Sequence, residues 1–154
     1  MQIKLINKGN RNQLVCERRD GSFEIADIGP GLPSHDIAHF IIERELKLKQ
    51  GFYGNIYNGF TIKQLSEKEI IKTLHIESGV SEITTRALQS LSTGACTIEQ
   101  FADLIYEEFN KFSIIFPLYL TKERILKMFD EYQQLMNRWQ DLREGDNIEL
   151  WLDI

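Results

Sequence analysis

Leu32-Pro33-Ser34-His35-Asp36-Ile37-Ala38-His39-Phe40-Ile41-Ile42-Glu43 is followed, after a charged stretch, by Gly51-Phe52-Tyr53-Gly54. Two of the three histidines lie here, four residues apart, each near a carboxylate. Pro33 suits a first helical position, because its φ is preset and it lacks an N–H. Ser34 is an equally good N-cap. Lys47 and Lys49 lie where cations favour the end of a helix dipole, and Gly51 suits a C′ position. One helix is predicted over residues 33–50. At about 100° per residue, Ile37, Ile41 and Leu48 share one face, and Ile42 and Leu46 make a second strip. Asp36, His39, Glu43, Lys47 and Gln50 form a polar stripe between them, with His35 at its border.

His35, Asp36 and His39 spell His-Asp-x-x-His. Two histidines one turn apart can hold one ion, as on the zinc-protease helix, where a glutamate acts as base. Asp36 is a methylene shorter, and stands as a candidate base or as a partner that orients a ligating histidine. Glu43 lies about 12 Å along the axis from His35, so it can share an ion with His39 more readily than with His35. His75 is the one further histidine and a weaker candidate ligand. Zinc is the ion that imidazole and carboxylate suit. The competing expectation is an ion-pair network on a solvated face, with the two acids raising the pKa of His39.

Leu32-Pro33, His35-Asp36, His39-Phe40, Glu43 and Gly51-Phe52-Tyr53-Gly54 resemble a signature of a group of small uncharacterised bacterial proteins. That signature reads Leu-Pro-His-Asp-x-x-His-Phe-x-x-Glu, then Gly-Phe-Trp-Gly. This chain departs from it at Ser34, which is inserted after the proline, and at Tyr53, which replaces tryptophan. The resemblance covers about a sixth of the chain. It implies a shared fold and carries no activity.

The chain of 154 residues is long enough for one domain with its own core. Its hydrophobic fraction of 42% and charged fraction of 27% suit a globular protein. No apolar run approaches the roughly 20 residues of a membrane span, and the N-terminus lacks the apolar region of a signal peptide. Cys16 and Cys96 read as reduced thiols of a cytoplasmic protein. The net charge is −5. Asp141, Glu144, Asp146, Glu149 and Asp153 stand against Arg143 alone, so the last 14 residues carry most of the excess. An acidic chain without a basic stripe argues against nucleic-acid binding.

Residues 2–27 read as a β-meander, with turn chemistry at 8–12 and a strong hairpin signal at Asp20-Gly21. Phe23, Ile25 and Ile28 are its last apolar positions, and Gly29-Pro30-Gly31 leads into the helix. Residues 51–60 interleave glycines and aromatics, as in a tight loop covering the core. They lack the lysine of a phosphate loop. Ser66-Glu67-Lys68-Glu69 and Thr97-Ile98-Glu99-Gln100 are capping boxes. His75 ends the helix begun by the first, and Ser81 caps another that Gly94 closes. Residues 112–120 form an apolar connection expected to be buried, with Pro117 barring helix. Thr121 caps the longest helix, to 142, on which Ile125, Phe129, Tyr132, Met136 and Trp139 face the core. Ile148, Leu150 and Leu152 alternate in a terminal strand expected to pair with the meander.

The predicted fold is α+β: a small antiparallel sheet, the N-terminal meander plus the C-terminal strand, packed against about five helices in a single domain over residues 1–154. For function, a non-enzymatic protein-interaction module leads, acting on an unidentified protein partner through Tyr53, Tyr57 or Trp151. The alternative is a zinc-binding protein, or a metal-dependent hydrolase, with His35, His39 and Glu43 as ligands, Asp36 as base or orienting group, and His75 in reserve.

Overall fold

A computed structural model describes residues 1–154. Strands β1 (Gln2–Asn7), β2 (Asn12–Glu17), β3 (Phe23–Ile28) and β4 (Asn147–Trp151) form one antiparallel sheet in the order β3-β2-β1-β4. Gly9 and Gly21 take positive φ at the two meander turns, which glycine does at no steric cost. Asp20 Oδ1 accepts from the Ser22 N–H at 2.9 Å and tightens the second turn. The terminal strand pairs with the first: Ile3 faces Leu150 and Leu5 faces Ile148.

Six helices complete the α+β fold: α1 (Leu32–Leu46), α2 (Phe52–Tyr57), α3 (Lys68–Ile71), α4 (Ile76–Ser92), α5 (Ile98–Lys111) and α6 (Lys122–Gln140). Helix α1 packs on both α4 and α6, and α5 packs on both of these. One connected apolar cluster joins Ile3, Leu14, Ile28 and Leu150 of the four strands to Ile41, Ile56, Leu88, Phe101 and Ile125 of five helices. Burying each such side chain is worth about 1.5–3 kcal/mol. Cys16 and Cys96 are free thiols within that core. No helix is long and apolar enough to cross a membrane.

Several local expectations are corrected. Helix α1 ends at Leu46, not Gln50, because Lys47 turns left-handed at φ 56° and its N–H closes back on the Arg44 carbonyl. Gly51 is therefore the residue before a new helix, and residues 52–57 are helical rather than a loop. The capping box at Ser66 does not form; Glu67 precedes α3 without a side-chain cap. His75, expected at a helix end, instead begins α4, its Nδ1 accepting from the Glu77 N–H. Ser81 lies inside that helix. The box at Thr97 forms in full, and Thr121 caps α6.

Two apolar segments also lie differently. Phe23 and Ile25 are exposed, because the inward positions of β3 are Glu24, Ala26 and Ile28. In the 112–120 connection Leu118 is buried, but Phe112, Ile115 and Tyr119 face outward.

Candidate metal centre

The polar stripe of α1 is not solvated. Asp36, His39 and Glu43 are all buried, because α4 and α2 cover that side of α1. A buried charge needs partners, and Glu43 has them in number. Its Oε1 accepts from the Phe52 N–H at 2.6 Å and from Ser81 Oγ at 2.7 Å. Its Oε2 accepts from the N–H groups of Tyr53 at 3.0 Å and Gly54 at 3.3 Å. These are the orphan donors of the first turn of α2, where the helix dipole also favours an anion.

The glycines of Gly51-Phe52-Tyr53-Gly54 follow from this packing. A Cβ at Gly51 would fall 2.6 Å from Glu43 Oε1, and one at Gly54 would overlap the Lys49 carbonyl. Asn55 Nδ2 and Ser78 Oγ both donate to the Gln50 carbonyl, and Glu77 accepts from the Lys49 and Gln50 N–H groups. Arg18 of the meander donates to the Ile56 carbonyl at 2.8 Å. The α1–α2 corner is thus held from three sides.

His39 lies between this closed corner and a second carboxylate. Its Nδ1 is 2.9 Å from Ser81 Oγ and 3.3 Å from Glu43 Oε1. Ser81 spends its one hydrogen on Glu43, so its oxygen accepts and His39 Nδ1 carries the proton. The same logic assigns His35. Ser34 Oγ donates to the Gly31 carbonyl and receives Gln89 Nε2, which turns Gln89 Oε1 toward His35 Nδ1 at 3.0 Å. A carboxamide oxygen accepts only, so His35 Nδ1 is also protonated. These positions are assigned from the hydrogen-bond partners.

Both Nε2 atoms therefore turn the same way, 3.1 Å apart. Glu82 Oε2 completes a triangle, 3.3 Å from His39 Nε2 and 3.5 Å from His35 Nε2. The other oxygen of Glu82 lies 3.5 Å from the Arg86 guanidinium, one turn along α4. Tetrahedral zinc with bonds of roughly 2.0–2.2 Å has ligand–ligand edges of about 3.3–3.5 Å, so the triangle has the size of one tetrahedral face. Burial disfavours imidazolium at His39, but hydrogen bonds with Glu43 and Glu82 outweigh it and lift the pKa to about 9. The two imidazoles hold the Glu82 carboxyl far below the usual carboxylate range.

The other expected residues lie elsewhere. Glu43 sits at the Nδ1 side of His39, where it orients the ring, and it is not in the His35–His39–Glu82 triangle. Asp36 hydrogen-bonds neither histidine; its Oδ2 is buried without a partner, and burial lifts its pKa to about 6 against the pull of both imidazoles. His75 lines the same cavity as His39 and Glu82, a space of about 560 Å³, but stands outside the triangle. Glu82, Ser81 and Gln89 are the residues the sequence reading missed. The available signal was the spacing of Glu82 and Gln89, seven residues, or two turns, apart on one side of α4.

Comparison with family models, curated proteins and solved structures finds no match to this chain.

Proposed function

We propose that this protein binds one divalent transition-metal ion, zinc first, through His35 Nε2, His39 Nε2 and Glu82 Oε2, with water in the fourth position. The observation that carries this reading is the closeness of the two Nε2 atoms, 3.1 Å apart. Both Nδ1 atoms are committed to acceptors, so the two Nε2 atoms and the Glu82 oxygen beside them are the ligand atoms left. Imidazole and carboxylate are ligands that suit zinc. Three protein ligands and an open position are the pattern of catalytic rather than structural zinc. Zinc there would lower the pKa of its water and polarise a bound carbonyl, the chemistry a metal-dependent hydrolase uses. Ser81 and Glu43 hold His39 in its tautomer and Gln89 holds His35, as the outer partners of metal-bound histidines do.

Calorimetry and elemental analysis on tag-free protein test this. One zinc per chain is expected, lost in His39→Ala and weakened in Glu82→Gln. Affinity should rise as the pH is raised toward 9, because the metal must displace the proton that His39 holds. Equal, negligible uptake by wild type and His39→Ala overturns the reading, and the hydrolase with it.

The interaction module is a second reading. Tyr53 is buried and Tyr57 half-buried, which leaves Trp151, with Phe23 and Ile25 on the outer face of the sheet, as exposed apolar anchors. Aromatic anchors of this kind dominate interfaces. A specific partner whose binding is lost in Trp151→Ala, with zinc uptake unchanged, would support it; a partner that binds Trp151→Ala and Ile25→Lys as well as wild type would sink it.

A further inference from the structure

We propose that the fourth metal position receives the head group of a monoanionic amphiphile, a carboxylate on a single hydrocarbon chain, and that its chain lies in the cavity beside the cluster. The inference rests on the metal reading above. His39 and Glu82 form part of the cavity wall, and Phe52, Leu65, Ile71, Leu74, Ile76 and Ile114 form most of the rest. The apolar wall begins at the ligand itself, since the Phe52 ring centroid is 5.2 Å from that of His39. About 560 Å³ is within the usual range for a small-molecule site.

Charge selects the head group. A divalent ion and Arg86 stand against the Glu82, Glu43 and Asp36 carboxylates, so the cluster carries little net charge and a monoanion adds the least to it. No lysine or arginine lines the cavity, so a phosphate dianion or nucleotide would leave charge unpaired. Two of the polar wall residues are committed elsewhere. Asn55 Nδ2 donates to Gln50, Gly51 and Ser78, and Ser78 Oγ donates to Gln50. A sugar or peptide would find few free partners, whereas a hydrocarbon chain needs none, and each buried methylene adds about 0.8 kcal/mol.

The test is calorimetry of the zinc-loaded full chain with decanoate and with acetate, after the zinc titration itself. Decanoate should bind at least 10-fold more tightly. Ile71→Glu, at a half-exposed wall position, and Gly79→Leu, which fills space next to Ile114, should keep zinc and lose the preference. Equal affinities in wild type, or a preference that survives both variants, overturns the proposal and leaves the metal site standing. Absence of zinc uptake overturns both.

Discussion

Two carboxylates flank His39, and the structure treats them oppositely. Glu43, on the Nδ1 side, is buried and accepts from three backbone N–H groups and a serine. Glu82, on the Nε2 side, is half exposed and shares its inner oxygen between two imidazoles. The first arrangement uses all of its polar capacity in holding α1, α2 and α4 together. The second places His39 and Glu82 at the wall of a cavity. The difference teaches that the polar stripe of one helix can be split along a single imidazole, one nitrogen tied to the buried corner and the other facing His35 and a half-exposed carboxylate.

The sharpest way to break this contrast is Glu43→Ala. It strands the α2 N–H groups, Ser81 and His39 Nδ1, and removing one partner of a buried charged network costs about 3–5 kcal/mol. At about 2–4 °C per kcal/mol for a chain of this size, Tm should fall by roughly 6–20 °C. An unchanged melting temperature would show that Glu43 does not hold the corner.

Gly51→Ala probes the same corner more gently. Its Cβ presses on the Glu43 carboxylate, and overpacking costs about 1–3 kcal/mol. The change should be smaller in Glu43→Ala/Gly51→Ala than the sum of the single effects, because the colliding group is gone. Strict additivity in thermal melts would show that the glycine is needed for another reason.

The pH dependence of metal-free protein sharpens the Nε2 side. His39 has a folded pKa of about 9 against the ordinary 6.5, so the stability it contributes is complete below about pH 6.5 and is lost as pH rises through 9. Asp36, raised from 3.8 to about 6 by burial, likewise loses its contribution as pH rises from 4 through 6. Glu82 is shifted the other way, so its contribution is present above its ordinary pKa of 4.5 and is lost in acid. Tm should decline between pH 6.5 and 9, and Glu82→Gln should flatten that decline. A flat wild-type profile would contradict the coupling of His39 to its carboxylates.

The smallest effect on stability is expected from Glu82→Gln at neutral pH. Its carboxylate is half exposed, and screened ion pairs contribute less than about 1 kcal/mol. A loss as large as that of Glu43→Ala would erase the distinction between the two carboxylates.

What the sequence determined by itself was everything set by short-range rules. Strand alternation placed Ile3, Leu5, Ile148 and Leu150 inside one sheet, and Asp20-Gly21 turned the hairpin, because pleat and φ are local properties. Thr97 and Thr121 announced α5 and α6, because a cap needs only the next three residues. His35 and His39 were readable as a pair from helical spacing alone. Tertiary structure decided the rest. Whether the α1 stripe met water depended on α4 lying across it, and no period in residues 33–50 encodes that neighbour. Glu43 changed from a candidate ligand to the anchor of α2 because Lys47 reversed the chain and brought residues 52–54 back to it. Glu82 joined two histidines more than 40 positions away because α1 and α4 pack side by side. A site assembled across helices is written in their packing, and spacing along one of them shows only half of it.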